Sequence, residues 1–241
     1  MAQPSVDAQL FDVMYSCRAM RRLKPDPVPE ATLLQLIDAA LQGPSGSNSQ
    51  NWRFVIVRER NQKERLRSVW AKTWAFYLET LAAMPARPGE DLDARKRTLA
   101  AATWQLDHFL DIPALICVCV ARDEEQARVF ASPSTLVKAV RRFGAGGAFR
   151  LVRSNSRISG IVDGATAYPA VQNLLLAARA LGLGAVLTTQ QFFVPGEFEA
   201  VLGIPAEFTL AAIVPVGWPL GKFGPVQRPA PADVVRWDHW S

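Results

Sequence analysis

Between Ala165 and Leu181 the chain is apolar on nearly every side, with Leu174, Leu175, Leu176, Ala177, Ala178 and Ala180 crowding its second half. A helix with no wet face must be buried on most sides, within its own domain or against a second subunit. Everything else therefore has to fold around this segment. Asp163-Gly164 precede it, Gly182 closes it, and Pro169 is expected in its first turn, where a missing N–H costs little. With 241 residues, 49% hydrophobic and 20% charged, the chain has ample material for one substantial core. No segment reads as a linker, so residues 1–241 are taken as a single domain.

The remaining periodicities give alternating helices and strands. Ala8 to Met20 and Glu30 to Leu41 read as amphipathic helices, the second opened by Pro29-Glu30 and stopped by Gly43-Pro44. Arg53 to Val57 is a strand, and Gln62 to Ala83 and Leu92 to Leu110 are helices separated by a Pro- and Gly-rich breaker at 85–89. The continuous apolar run Ala114 to Val120 implies a central strand covered on both faces. Ala185 to Thr189 and Leu210 to Val216 complete the sheet, with a short helix near Gly196 to Leu202 between them. The sum is an α+β protein in which helices flank a mixed central sheet in three layers.

Two segments carry candidate chemistry. Gly43-Pro44-Ser45-Gly46-Ser47-Asn48-Ser49-Gln50-Asn51-Trp52 is a run of small and polar residues feeding straight into the strand, a loop that presents hydroxyls, amides and backbone N–H groups to a flat, uncharged ligand edge. Upstream, Arg18, Arg21 and Arg22 stand at i, i+3 and i+4. On a helix the three guanidinium groups would share one face and repel each other unless an anion such as phosphate lay between them. A solvated basic face is the alternative reading.

Other features narrow the field. Cys17, Cys117 and Cys119 are too few for a disulfide framework, and the odd number suits a reducing compartment. Cys117 and Cys119 point to one face of an apolar strand, where core packing is expected and further metal ligands are missing nearby. Net charge is +5, yet the basic residues form no long stripe with interleaved aromatics, which argues against a nucleic-acid partner. The densest basic piece, Lys138 to Arg157, holds Lys138, Arg141, Arg142, Arg150, Arg153 and Arg157 and no acid. Its Gly144-Ala145-Gly146-Gly147 centre suggests a mobile loop or lid near 138–160, either a solvated loop or an electropositive rim for an anionic partner. Met1 to Asp7 lacks the basic start and apolar stretch of a secretory signal, and the longest apolar run is too short to span a membrane, so a cytoplasmic protein with no membrane partner is expected.

In order along the chain, Cys17-Arg18-Ala19-Met20-Arg21-Arg22-Leu23 with Asp26-Pro27-Val28-Pro29, then Pro44 to Trp52, then Tyr168 to Ala178 with Leu181-Gly182-Leu183-Gly184, and finally Val214 to Pro219 with Arg228 beyond, resemble the FMN-dependent nitroreductase family. The resemblance runs from about residue 10 to residue 230. It implies a nitroreductase-like fold, an intertwined homodimer with flavin at the interface, and two half-reactions on one bound FMN. NADH or NADPH delivers hydride, leaves, and a nitroaromatic, quinone or similar electron-poor small molecule takes its place. The cofactor then carries the reaction, while the protein supplies position and electrostatics.

The resemblance also assigns residues. Arg18, Ala19, Met20 and Arg21, with Arg22 assisting, would meet the ribityl phosphate and the pyrimidine side of the flavin, and Arg228 would approach the phosphate from the tail. Pro44, Ser45, Gly46, Ser47, Asn48 and Gln50 would contact it from the partner subunit. Thr188, Thr189 and Gln190 match the place of a backbone donor near flavin N5, which would stabilise negative charge on the reduced ring. The chain departs from the pattern at Cys17 and Ala19, where a basic residue and a serine are usual, at Asn51 in place of proline, and at Val226-Gln227 in place of a lysine that Lys222 is near enough to replace. His108 is expected to be packed or on a helix surface; for Trp70, Trp74 and Trp104 core packing is the default, and Trp74, Phe76 or Tyr77 as walls of a substrate pocket is the alternative. A flavin carrier or sensor without turnover, and other flavin reactions such as alkene reduction, reductive dehalogenation or flavin fragmentation, stay open beside the reductase reading.

Overall fold

A computed structural model describes residues 10–86, 89–121, 128–129 and 132–240, with side chains undescribed at 151 and 154–163. The elements in chain order are α1 (Leu10–Ser16), α2 (Glu30–Leu41), β1 (Trp52–Val57), α3 (Arg60–Ala82), α4 (Leu92–Asp107), β2 (Ala114–Ala121), α5 (Pro133–Ala180), β3 (Gly184–Ala185), α6 (Glu197–Leu202), β4 (Phe208–Gly217) and α7 (Pro231–Val234). The start of the expected first helix and the centre of the 85–89 breaker lie outside the described residues.

The strands form one sheet in the order β1-β2-β4-β3. Every pairing among the described residues is antiparallel, not mixed as the sequence suggested. β2 is central and buried on both faces, as its unbroken apolar run implies. Ile116, Val118 and Val120 pack with α2 and the C-terminal half of α5, while Leu115, Cys117 and Cys119 face the layer that contains α3 and α6. Both strand cysteines are thus core residues, and burial pushes the Cys119 thiol up to about 11. The β2–β4 register slips at Ala211, and the buried Gln191 Nε2 donates to the Ala211 carbonyl at 2.9 Å, so the bulge keeps its hydrogen bond.

The apolar helix behaves as its composition demands, but it is part of a longer element. Ala167, Ala170, Val171, Leu174 and Ala178 form a fully buried stripe at helical spacing. Removal of each larger side chain from water stabilises the fold by about 1.5–3 kcal/mol. Helical backbone, however, begins at Pro133, so Pro169 sits deep inside α5 instead of in a first turn. Proline in that setting costs about 3 kcal/mol or more. Packing outweighs it: Trp52 Nε1 donates to the Thr166 carbonyl at 3.0 Å, and a Cβ on Gly43 would come within 2.9 Å of the Ala170 nitrogen.

The expected basic loop is likewise helical. Only Gly144, at φ 71° and ψ 169°, leaves helical geometry, and that positive φ suits glycine and breaks α5 into two segments. Lys138, Arg141, Arg142, Arg150 and Arg153 are exposed on either side of this break, whereas the Arg157 side chain lies outside the described residues. None of the helices among the described residues is long and apolar enough to cross a membrane.

Candidate functional site

α1 stops at Ser16, so Arg18, Arg21 and Arg22 do not share a helical face. The chain from Met20 to Lys24 instead runs extended, laced to its neighbours. Met20 N–H donates to Ala185 O at 3.0 Å, Lys24 N–H to Trp218 O at 2.7 Å, and Leu220 N–H to Arg22 O at 3.0 Å. The i, i+3, i+4 spacing of the arginines fits a helix, but Met20 and Leu23 are buried here and the edges of β3 and of the chain leaving β4 compete successfully for the backbone groups. As a result Arg22 parts from Arg18 and Arg21. Arg21 turns inward, while the Arg22 guanidinium lies 5.9 Å from the Trp104 ring and lines neither cavity described below.

The C-terminal tail returns to this segment. Val226 N–H donates to the Tyr15 carbonyl at 2.9 Å, bringing Arg228 beside the end of α1. Arg179, near the end of α5, ties the same region together: its Nε donates to Ser16 Oγ at 2.9 Å and its guanidinium stacks 4.1 Å from the Phe223 ring. Cys17 Sγ points at the Leu175 carbonyl, 3.6 Å away, and burial raises its pKa against the opposing pull of Arg179.

These contacts enclose a cavity of ≈ 600 Å³ lined by Arg18, Arg21, Arg97 and Arg228, with Ala19 and Cys17 at its wall and no carboxylate among its lining residues. Four guanidiniums around one space suit a multiply charged anion such as a phosphate monoester. Arg21 is the most enclosed of the four, and burial lowers its pKa, with Tyr77 opposing the shift. Lys222 and Met20 do not line this cavity.

Arg21 and Thr98 also border a second cavity of ≈ 260 Å³, walled by Trp74, Tyr77 and Phe193 and reached by Thr188, Thr189 and Gln190. Trp74 and Tyr77 are stacked with centroids 5.4 Å apart, and Tyr77 meets Phe193 at 5.9 Å. Phe76 packs on Phe193 instead of lining the space. Among the described residues Gln105 Nε2 and Gln190 Oε1 are buried without hydrogen-bond partners, and both residues line this cavity. Aromatic walls with two unpartnered amide groups beneath them suit a planar ring with a polar edge. Thr188 is committed to the sheet, exchanging backbone bonds of 3.0 and 3.1 Å with Ile213. Its N–H therefore has no role toward a ligand, which leaves Thr189 and Gln190 as the candidate backbone donors.

The Pro44–Gln50 loop lines neither cavity of its own protomer. Ser47, Asn48 and Gln50 all have positive φ, at 52°, 53° and 48°, a conformation that costs non-glycine residues of order 1–3 kcal/mol each. Local bonds hold it: Gly46 N–H to Thr166 Oγ1 at 3.2 Å, Gln50 N–H to Ser45 Oγ at 3.1 Å, and Gln50 Nε2 to Asn48 Oδ1 at 3.1 Å. The outcome is a shaped, exposed polar surface. His108 is packed, as expected, its ring stacked 3.9 Å from Trp104 and Nδ1 3.0 Å from the Trp104 carbonyl.

Sequence reasoning missed the α4 contribution, Arg97, Thr98 and Gln105. The signal was present: Ala94, Thr98, Ala101, Ala102 and Gln105 fall on one helical face, and small residues there leave the space that the cavities occupy.

An anion-suited cavity adjoining an aromatic one has the form that a phosphorylated ring compound would fit. Residues 15–218 match the Nitroreductase family, and the chain belongs to it. Iodotyrosine deiodinase of Thermotoga neapolitana is 26% identical over 210 residues, 87% of this chain and 88% of its own length. NADH dehydrogenase of Thermus thermophilus is 26% identical over 237 residues, 91% of each. The fold is shared with oxidised iodotyrosine deiodinase bound to FMN and 3-iodo-L-tyrosine, at TM-score 0.67 and 24% identity over 96% of this chain and 100% of that one.

Proposed function

We propose that the protein is an FMN-dependent oxidoreductase that takes electrons from NADH or NADPH and passes them, in a ping-pong sequence, to an electron-poor aromatic such as a nitroarene or quinone. The observation that carries this reading is the meeting of Arg18, Arg21, Arg97 and Arg228 around one cavity, with Arg21 shared by the aromatic cavity beside it. Phosphate recognition and ring recognition then fall at adjoining spaces, which is the shape of FMN and not of a free anion. When bound, FMN supplies two-electron transfer between the reduced nicotinamide and the oxidant that follows it.

The chain's own groups have separate tasks in this scheme. Arg18, Arg21 and Arg228 hold the phosphate with charge-assisted hydrogen bonds, each worth about 1.5–3 kcal/mol, and Arg97 adds to the field. Backbone N–H groups of Thr189 and Gln190, with Gln105 Nε2, offer donors to the ring edge where negative charge accumulates on reduction. Trp74, Tyr77 and Phe193 exclude water and give a flat oxidant a surface on which to stack. The exposed Pro44–Gln50 loop completes the site of a second copy in a homodimer. In support, Leu10, Phe11, Met14 and Tyr15 leave an apolar face of α1 exposed, and α5 beyond its buried stripe keeps half-exposed Leu175 and Leu176. The exposed basic residues flanking Gly144 add a positive surface field that favours approach of the anionic nicotinamide dinucleotide.

The test begins with colour. Purified protein should be yellow or take up added FMN, bleach anaerobically with NADH or NADPH, and regain colour on addition of a quinone. Protein that neither carries nor takes up FMN would sink this reading; flavin that stays oxidised with both nicotinamides would point to a carrier.

A further inference from the structure

A third cavity, ≈ 440 Å³, lies between α3 and α4 and shares Tyr77, Thr98 and Leu99 with the aromatic cavity. Beyond that junction it is walled by Leu81, Met84 and Pro85. Its charged residues are already engaged with one another. Arg95 Nη1 lies 3.2 Å from Glu90 Oε2, with only 20% and 23% of those side chains exposed, and Arg95 Nη2 donates to the Leu81 carbonyl at 3.0 Å. The Asp91 carboxylate caps α4, accepting the Asp93 and Ala94 N–H groups at 2.9 Å each, and Arg97 stands 3.5 Å away. Leu81, Met84, Pro85, Ala94 and Leu99 supply the apolar part of its wall.

We infer that this cavity is a subsite for an uncharged alkyl chain carried by the aromatic oxidant, whose ring stacks beside the flavin at the junction formed by Tyr77, Thr98 and Leu99. The inference rests on the reading of that second cavity given above. It selects substrates with a planar electron-poor head and a hydrocarbon tail over ones with a zwitterionic tail, whose carboxylate would meet the Glu90 and Asp91 carboxylates and an Arg95 already paired with Glu90.

The test is equilibrium binding without a reductant, read by tryptophan fluorescence of the flavin-loaded protein, since Trp70 and Trp74 line the ring cavity. The probes are para-nitrotoluene, para-butylnitrobenzene, para-octylnitrobenzene and para-nitro-L-phenylalanine. Affinity should rise about fourfold for each methylene buried and then level off once the cavity is full. Met84→Asp, at a residue exposed enough to tolerate the change, should flatten that rise and leave para-nitrotoluene unaffected. Met84→Trp should make the rise stop at a shorter chain. Identical chain-length dependence in all three proteins, tighter binding of para-nitro-L-phenylalanine than of the butyl compound, or no binding by any probe overturns the inference. Para-nitrotoluene binding with a Met84-independent chain effect removes the tail site and leaves the ring cavity standing. A Met84-dependent chain effect without para-nitrotoluene binding retains the tail site and removes the ring reading.

Discussion

The two main cavities adjoin through Arg21 and Thr98 yet are built on opposite principles. The larger draws its arginines from the segment after α1, from α4 and from the C-terminal tail, and its chemistry suits an anion. The smaller is shaped by packed aromatic rings with two unpartnered amides beside them, and it suits a flat ring. Charge can be assembled from long, exposed side chains that reach a common point. Stacking cannot, because it needs walls fixed to within fractions of an ångström by the core behind them. Substitutions should therefore separate retention of a cofactor from turnover of an oxidant.

Arg21 is where that separation must fail, since it borders both spaces. Arg21→Ala should lower FMN affinity roughly a hundredfold, the loss of about two charge-assisted bonds, and abolish turnover as well; flavin content after dialysis measures the first effect. Arg228→Ala touches only the charge cavity and should cost about tenfold in FMN affinity. Excess FMN should restore its activity, and Arg228→Lys should recover part of the loss because the point charge remains while the fork geometry goes. Gln105→Leu reverses the pattern: flavin stays bound, while kcat/KM for a quinone falls about tenfold because a donor is lost from the ring edge. If Gln105→Leu releases FMN as readily as Arg228→Ala, the division of labour is wrong.

Two smaller effects sharpen the boundary. Burial raises the Cys17 pKa, so at mildly alkaline pH its thiolate fraction lies below that of an open cysteine, and alkylation should be slower there and still accelerating as pH rises further. Added FMN should slow alkylation several-fold, as Cys17 lines the charge cavity, and mass spectrometry of the labelled peptide reads both effects. Arg97 is largely exposed and held loosely near Asp91, so Arg97→Ala should weaken FMN binding only about two- to threefold and reduce its salt dependence.

Legibility in the sequence tracked how local the cause was. β2 was readable because an unbroken apolar run has no solvent face to offer, and α2 because Pro29 and Gly43-Pro44 punctuate it. The segment after Cys17 misled, since arginines at i, i+3 and i+4 fit a helix as well as an extended strap, and only the available edges of β3 and of the chain leaving β4 chose between them. The 138–157 stretch misled differently. Its four-residue Gly/Ala centre suggested a loop, but a single positive φ at Gly144 absorbs the bend and the flanking residues remain helical. The α4 residues were overlooked because small side chains on a helical face signal close packing as readily as they signal a cavity.

The sequence by itself settled what must be buried, which residues bear positive charge, and the ordered set of segments that marks the family, because composition and short-range pattern follow from side-chain chemistry alone. Which of those charges meet was decided in three dimensions. A guanidinium at one end of the chain has no information about one at the other until the Val226–Tyr15 bond and the Arg179 contacts bring the termini together, and those depend on the whole core being in place.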